Sequence, residues 1–375
     1  MSLADDAKLL LIPSAYKSGK VYSVYPINGN GDFTYSRSGD ATRVNTGGFI
    51  EELGANIPRI DHTGGGCPSL LLEPQRSNLI TYSEQLNNAN WNKISGASVV
   101  ANQIISPNGE FTADELVFDG TSFGRAEQTI AVTSGQQYAF SVYLKNKDLS
   151  DTTQVWIGLS TTAQGEYVTV TNEWQRFTTI QTANGTNEFP RIQSSENGSI
   201  YVWGCQLEEN YTSSYIKTES TLITRFKDEC FNGGDGNSFN ILEGTFFVDL
   251  KPYNGGNETR ISLSNGTDSQ KIVFMFQSNG TQIKVYSSGG VSNFLNLTFD
   301  QRNKIAVTFK ANEYKFFING ALIGSNTNAS VPIGMDRLNF SNATNTSNHF
   351  EGEIYDTRVY NKVLTETEAI QLTQV

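Results

Sequence analysis

The residues best suited to chemistry are two glutamates in the stretch Glu351-Gly-Glu353-Ile-Tyr-Asp356. Side chains two positions apart on a β-strand share a face, so Glu351 and Glu353 would point the same way. Two carboxyl groups on one face can act as the nucleophile and the acid/base of a glycoside hydrolase. An exposed acidic face with a glycine in the strand explains the pair more simply. We therefore expect no catalysis here and keep a polysaccharide depolymerase using Glu351 and Glu353 as the alternative.

Nucleophilic hydrolysis by serine or cysteine requires a histidine base, and the chain has only two histidines, His62 and His349. No serine stands in a Gly-x-Ser-x-Gly motif, and no histidine and cysteine have the spacing of zinc ligands. No glycine-rich nucleotide-binding motif is present either. We interpret both histidines as surface residues of loops and predict that the chain is not an enzyme.

Calcium is a second chemistry that the sequence leaves open. Asp114, Asp119 and Asp235 lie in or near turns rich in glycine and asparagine. Ca²⁺ prefers carboxylate and carbonyl oxygens, which such turns can supply. None of the three aspartates stands in an Asp-x-Asp-x-Asp-Gly loop. We expect no cofactor, and a structural Ca²⁺ remains the alternative.

The middle of the chain carries the best candidates for contact with sugars. In Tyr138–Leu144 the alternate apolar residues take one face of a strand and leave Tyr143 on the other. The same alternation in Gln-Val-Trp-Ile-Gly-Leu-Ser leaves Gln154 and Trp156 opposite the apolar face. In Tyr-Val-Trp-Gly-Cys-Gln-Leu-Glu it predicts that Tyr201, Trp203, Cys205 and Leu207 are buried and that Gln206 is outside.

Neighbouring strands would gather these residues on one open sheet face. Aromatic rings stack on the C–H surfaces of sugars, while amide and guanidinium groups donate hydrogen bonds to hydroxyls. Burial of the same face against a neighbouring subunit is the competing interpretation, since aromatic residues are common at subunit interfaces. The predicted glycan-binding residues are Tyr143, Trp156, Gln154, Gln206 and Arg125.

The composition narrows the class of protein. The 375 residues have 27 basic and 38 acidic side chains, a net charge of -11 and no run of Lys or Arg, which argues against a nucleic-acid partner. The start, MSLADDAKLLLIPSAY, is not expected to be a signal peptide, and no apolar run approaches the ~20 residues that span a bilayer. The three cysteines are far apart, which favours free thiols formed in a reducing cytoplasm.

Short strands dominate the secondary structure that must position these residues. Asn279-Gly280 and Asn319-Gly320 separate apolar runs and predict two hairpins. Strands recur with almost no helical periodicity, which predicts an all-β chain of antiparallel sandwiches. One helix is predicted at the end, where Thr365 and Glu368 form a capping box.

Four regions follow from these patterns. Residues 1–80 are rich in turns, residues 81–217 form a block rich in strands, residues 218–239 form a connector, and residues 240–375 form a second block that ends in the capped helix. Each block is long enough to bury a core of its own. We therefore predict two sandwiches after a turn-rich segment.

Several ordered motifs resemble those of tailed-bacteriophage structural proteins. Three lie in the first region, Ala41-Thr42-Arg43-Val44, Asn56-Ile57-Pro58-Arg59, and Leu71-Leu72-Glu73 followed by Asn78-Leu79. The block from Tyr201 to Glu208 with Thr212-Ser-Ser-Tyr-Ile is similar to the closing strand of a carbohydrate-binding-module-like jelly roll in these proteins, where Ala usually stands for Cys205 and Pro for Lys217. The stretches from Gly244 to Pro252, Asn303 to Gly324 and Phe350 to Thr373 resemble a laminin-G/concanavalin-A-like sandwich.

The resemblance implies a function as well as a fold. It implies a non-enzymatic virion structural protein, such as a tail fibre, a head fibre or a capsid decoration protein, made in the cytoplasm of a bacterial host. Residues 1–80 would attach it to other virion proteins, and the two sandwiches would be displayed for assembly and host-surface glycan contact. By analogy with such proteins we expect a homotrimer, and we expect neither a nucleic-acid partner nor membrane insertion.

Overall fold

The computed structural model of the chain describes residues 3–147, 153–159, 165–239 and 242–375. The strands of the first region are β1 (Leu9–Leu11), β2 (Tyr16–Lys17), β3 (Lys20–Val21), β4 (Phe33–Ser36), β5 (Ala41–Val44), β6 (Ile50–Leu53), β7 (Ile60–Asp61), β8 (Ser69–Leu72) and β9 (Arg76–Asn78). Those of the middle are β10 (Asn92–Ile94), β11 (Ala97–Ile104), β12 (Ala113–Asp119), β13 (Gly124–Glu127), β14 (Ile130–Ala131), β15 (Gln137–Asn146), β16 (Thr153–Gly158), β17 (Gly165–Val170), β18 (Gln175–Thr182), β19 (Asn187–Glu188), β20 (Arg191–Ser194) and β21 (Asn197–Glu209). The remaining elements are β22 (Ile223–Arg225), β23 (Glu229–Phe231), β24 (Glu243–Pro252), β25 (Thr259–Ser264), β26 (Lys271–Phe276), β27 (Gln282–Ser287), β28 (Val291–Asn296), β29 (Asn303–Lys310), β30 (Glu313–Ile318), β31 (Ala321–Asn326), β32 (Arg337–Asn339), β33 (Gly352–Tyr360) and the helix α1 (Glu366–Thr373).

The chain forms two compact units. Unit 1 contains Met1–Asp40, Leu53–Pro74 and Phe226–Val375, and unit 2 contains Ala41–Glu52 and Gln75–Arg225. The predicted all-β fold with two antiparallel sandwiches is confirmed. The observed boundaries differ from the predicted segments, because residues 1–80 are divided between the units. Their short strands complete sheets in each unit, as β8 does beside β33 and β9 beside β22.

Unit 1 is a sandwich of two large sheets. Sheet A has the strand order β31-β30-β29-β24-β33-β8-β7, with β1 also paired to β33. Sheet B has the order β28-β27-β26-β25-β32, and a smaller sheet has the order β2-β3-β4-β23. Alternate residues of the strands fill the core, where the rings of Phe246 and Phe274 stack 4.7 Å apart. Full burial of a side chain of this size contributes roughly 1.5–3 kcal/mol.

Helix α1 has the predicted start. Thr365 accepts a hydrogen bond from the Glu368 backbone N–H, and the Glu368 carboxylate accepts one from the Thr365 backbone N–H, so the capping box is confirmed. Leu364, Ala369 and Leu372 are buried in a cluster on sheet A. None of the helices formed by the described ranges is long and apolar enough to cross a membrane.

Both predicted hairpins are present, and their turns differ. β30 and β31 are joined by the turn Asn319-Gly320, where φ is 49° and 79° at the two residues, as a two-residue hairpin turn requires. Between β26 and β27, only Gly280 of the Asn279-Gly280 pair has positive φ, at 69°. There the turn is longer, since the Gln277 N–H donates to the Gln282 carbonyl.

A buried ion cluster joins three distant segments of unit 1. The guanidinium of Arg59 donates to the carboxylates of Glu73 and Asp228, and that of Arg37 donates to Asp228. Asp228 also accepts hydrogen bonds from the Tyr35 hydroxyl and the Glu73 backbone N–H. All five side chains are buried. Arg59 and Glu73 belong to the motifs that carry the phage resemblance, and the structure gives both residues this structural role.

Unit 2 has two five-stranded sheets. Sheet C has the order β10-β13-β20-β16-β17, and sheet D has the order β11-β12-β21-β15-β18. Their facing sides bury one apolar core, to which both sheets contribute residues such as Ile157, Ile192, Phe140 and Leu207. The side of sheet C that faces away from this core carries Arg125, Gln154 and Trp156 of the predicted glycan-binding residues.

Candidate glycan-contact face

The five predicted glycan-binding residues lie on two different sheets. Arg125, Gln154 and Trp156 are on β13 and β16 of sheet C, and Tyr143 and Gln206 are on β15 and β21 of sheet D. The predicted joint face of Tyr143 and Trp156 is therefore not formed. Strand alternation assigned each side chain to a face but could not tell which strands are neighbours.

Gln206 is fully buried, so the prediction that it lies outside is wrong. Its amide nitrogen donates to the Ser214 carbonyl, and its amide oxygen accepts from the Ile216 N–H. Beside it, the buried carboxylate of Glu208 accepts two hydrogen bonds from Ser213. Gln206 and Glu208 thus fasten residues 213–216 onto sheet D, which is a structural role.

A β-bulge explains why alternation failed for Trp203 on β21. Ser141 pairs with Gln206 and Tyr143 pairs with Trp203, so two residues of β21 oppose one of β15. Gly204 lies in this bulge with φ 66°. The extra residue moves Trp203 to the face opposite that of Cys205, where Trp203 packs on Tyr215 at 4.5 Å.

Tyr143 is half-buried in the same aromatic cluster. Its ring meets that of Trp203 edge-on at 5.6 Å, and the guanidinium of Arg176 lies 5.4 Å from its centre. Arg176 in turn donates to the Ser213 carbonyl and the Ser141 hydroxyl. Tyr143 is therefore held by its neighbours and does not present an open ring.

The outward side of sheet C forms a continuous face, which we call the Trp156 face. Its defining rows follow from the strand registers, since Trp156 pairs with both Tyr167 and Gln193, and Gln193 pairs with Arg125. The first row is Ile94, Arg125, Gln193, Trp156 and Tyr167, and the second is Asn92, Glu127, Arg191, Gly158 and Gly165. Five strands at about 4.8 Å spacing make the face about 19 Å wide.

Two glycines determine where the indole of Trp156 lies. A Cβ atom on Gly165 would come within 2.0 Å of Trp156 Cζ2, and one on Gly158 within 2.7 Å of Cη2. The indole therefore lies across this glycine pair, which faces it from β16 and β17. Trp156 remains partly exposed, and Tyr167 beside it is 63% exposed. Because neither glycine has a side chain, their backbone forms a flat surface on which the Trp156 indole lies, and we call this surface its shelf.

Two arginines share one carboxylate on this face. Arg125 Nε donates to Glu127 Oε2 at 2.9 Å, and Arg191 Nε lies 3.3 Å from the same oxygen. Arg191 also donates to the amide oxygen of Gln193 and lies 5.7 Å from the Trp156 ring. Burial lowers the pKa of Arg191, and the nearby Glu127 opposes this effect.

Tyr167, Arg191 and Gln193 are on the Trp156 face but were not among the residues predicted from the sequence. Alternation in Glu-Tyr-Val and Arg-Ile-Gln places these side chains opposite Val168 and Ile192, so the signal was present. The sequence does not reveal that β20 pairs with both β13 and β16. This pairing places Gln193 and Arg191 between Arg125 and Trp156. Gln154, two residues before Trp156, is exposed on the same side.

The two glutamates considered for catalysis, Glu351 and Glu353, both have structural surroundings that account for them. Glu353 accepts hydrogen bonds from Lys251, from the Tyr253 hydroxyl and from the Tyr355 hydroxyl. Glu351 is buried and precedes β33. These three donors and the burial of Glu351 leave neither carboxylate open for contact with a substrate. This arrangement offers no support for the depolymerase alternative.

The three candidate calcium ligands accept hydrogen bonds from groups of the protein itself. Asp114 is buried and accepts from the backbone N–H groups of Leu86, Asn87 and Asn102. Asp119 accepts from Thr121, and Asp235 accepts from Ser238. Across the residues with described positions, no group of three or more His, Cys, Asp or Glu could hold a metal ion.

Comparison with known proteins gives a family match for part of unit 1. Residues 238–369 match the family described as the concanavalin A-like lectin/glucanases superfamily. No curated protein matches the chain.

Solved structures give partial likenesses. The Ruminococcus gnavus IT-sialidase CBM40 bound to alpha2,3 sialyllactose has a TM-score of 0.31 and 19% identity, over 36% of this chain and 84% of that chain. Domain 4 of AbnA, a GH43 extracellular arabinanase from Geobacillus stearothermophilus, in complex with arabinotriose, has a TM-score of 0.31 and 18% identity, over 44% and 83%. The enzymatically active domain of bacteriophage CBA120 tailspike protein 4 has a TM-score of 0.26 and 18% identity, over 35% and 21%. Together with the family match, the layered β architecture of unit 1 makes residues 238–369 a concanavalin A-like sandwich.

Proposed function

We propose that this chain is a non-enzymatic structural protein of a tailed-bacteriophage virion that contacts host-surface glycan through the Trp156 face. The glycan contact is proposed because the indole of Trp156 is partly exposed and lies beside Tyr167, Gln193 and Arg191. The concanavalin A-like sandwich in unit 1 agrees with a lectin-like protein.

The chemistry of this face suits a saccharide. The indole presents a flat apolar surface for the C–H side of a sugar ring, while the guanidinium and amide groups donate to its hydroxyl or carboxylate oxygens. The face is about 19 Å wide, given four strand spacings of about 4.8 Å, which accommodates several sugar units of a polymer.

The virion assignment rests on the motifs of the first region. Arg59 and Glu73, which belong to them, hold the buried cluster on Asp228, so the motif residues preserve a particular fold. We propose that residues 1–80 attach the protein to other virion proteins, although their strands also complete the two units. We further propose a homotrimer, as expected for a fibre-like or decoration protein.

Adsorption to host cells tests the glycan contact. Purified protein is incubated with host cells and the bound fraction is measured with and without soluble host polysaccharide. We expect the W156A variant to lose most of the binding and the F111A variant, which removes an exposed phenylalanine elsewhere in unit 2, to retain it. Equal binding by both variants contradicts the proposal.

Light scattering separates ligand binding from subunit packing. If the Trp156 face binds glycan, W156A has the same oligomeric mass as the wild type. Dissociation of the oligomer by W156A would show that a neighbouring subunit covers this face. Immunogold labelling of intact particles then tests the virion location, and unlabelled particles contradict it.

The non-enzymatic assignment has its own test. Host polysaccharide incubated with the protein should show no new reducing ends, because Glu353 is held by Lys251 and two tyrosines. New reducing ends that disappear in the E353Q variant would establish the depolymerase instead.

A further inference from the structure

The outward side of sheet B in unit 1 carries a second aromatic and cationic surface. The registers place Arg260, Met275, Lys284 and Phe294 in one row across β25, β26, β27 and β28. Tyr286 follows Lys284 on the same side of β27, and its neighbour on β26 is Val273, which is buried, so the open part of this side lies around Lys284 and Phe294. Side chains between these positions, such as Phe274 and Val285, point into the core. We call this surface the Lys284 face.

Lys284 lies between two aromatic rings. Its ammonium nitrogen is 5.0 Å from the centre of the Phe294 ring and 5.7 Å from that of Tyr286. A second ammonium, that of Lys271, lies 5.6 Å from the Tyr286 ring. Phe294 is 56% exposed, so one ring of this group is open to solvent. A lysine attracted to an exposed phenylalanine ring places a charged hydrogen-bond donor beside an apolar aromatic surface.

The charges on this face favour an anionic ligand. Arg260 pairs with Glu258, and Lys271 pairs with Asp268. Lys284 has no carboxylate within ion-pair distance in the part of the chain that the structure describes. Three cations against two carboxylates leave one positive charge, on a chain whose net charge is -11. The unpaired cation is the one that lies between the rings.

We infer that the Lys284 face is a second saccharide site, separate from the Trp156 face, and that it binds a carboxylated polysaccharide. The sugar ring would stack on Phe294 and Tyr286, and its carboxylate would accept a hydrogen bond from the Lys284 ammonium. Lysine binds such a group as a point charge, while the rings select for a saccharide over a simple anion. This site goes beyond the proposed function, because it lies in unit 1 and requires an acidic ligand.

Binding of defined polymers tests the inference on the full chain. Polygalacturonate is the carboxylated probe, dextran the neutral probe and polyphosphate the anion without a sugar ring. We expect polygalacturonate to bind and the other two to bind at least about tenfold more weakly. The K284Q and F294A variants should each weaken polygalacturonate binding about tenfold or more, since a charge-assisted hydrogen bond and a stacked ring are each lost.

A matched control separates this site from general charge attraction. The K310Q variant also removes one partly exposed lysine of unit 1 and should leave binding within about twofold. Equal losses in K284Q and K310Q, equal affinity for polyphosphate, or no binding of polygalacturonate would each overturn the inference. The W156A variant should bind polygalacturonate on this face as the wild type does, so failure here is distinguishable from failure of the Trp156 proposal.

Discussion

Replacing Asp228 by asparagine should destabilise unit 1 by about 3–5 kcal/mol, the usual effect of removing one partner of a buried ion pair. Two guanidinium groups, of Arg37 and Arg59, face two carboxylates, of Asp228 and Glu73, and all four side chains are buried. Two positive and two negative charges cancel. The D228N variant keeps the size of the side chain but leaves one positive charge buried without compensation. It also weakens the acceptor for the Tyr35 hydroxyl.

Urea unfolding measures this loss and identifies the unit that loses stability. All four tryptophans lie in unit 2, so tryptophan fluorescence follows unit 2 and far-UV circular dichroism follows both units. We expect the transition seen only by circular dichroism to move to lower urea in D228N. The matched control is E313Q, which breaks the exposed pair with Lys310 and should change the free energy of unfolding by less than about 1 kcal/mol. If D228N costs no more than E313Q, the cluster does not stabilise the fold as argued.

Two further predictions concern protons and thiols. Burial raises the pKa of Glu208 above its ordinary 4.5. At pH values just above 4.5, folded unit 2 therefore binds more protons at Glu208 than the unfolded chain does, and its free energy of unfolding increases as the pH falls toward 4.5. The stability of the wild type relative to E208Q, measured by urea unfolding with tryptophan fluorescence, should therefore rise from pH 7 toward pH 5, and a constant difference would contradict this. Of the three cysteines, exposed Cys67 should react rapidly with a thiol reagent, while Cys205 and Cys230 are buried and their pKa values are raised. More than one fast equivalent in the native protein would show that a buried thiol is accessible.

Local signals in the sequence were sufficient for some elements. The start of α1 could be predicted because Thr365 and Glu368 are three residues apart and bond to each other's backbone. The turn at Asn319-Gly320 could be predicted because asparagine and glycine tolerate positive φ. The all-β class followed from repeated alternation, which needs no knowledge of which strands pair.

Other features depend on contacts between distant residues. One extra residue at Gly204 reversed the face of Trp203 relative to Gln206, and alternation alone gives no warning of a bulge. Trp156 and Tyr143 could not be assigned to separate sheets, because strand pairing joins segments far apart in sequence. The buried cluster on Asp228 was equally hidden, since Arg59 is 169 positions away from its partner.

The central claim is that the Trp156 face binds glycan, and a calorimetric titration with host-surface polysaccharide tests it most directly. Two variants probe this face, W156A, which removes the indole, and G165A, whose added Cβ would displace the indole from its shelf without removing it. We predict that the dissociation constant rises by roughly tenfold or more in W156A, as expected for loss of a stacked aromatic anchor, rises in G165A as well, and stays unchanged in F111A. Unchanged affinity in both W156A and G165A, with wild-type binding intact, would contradict the account.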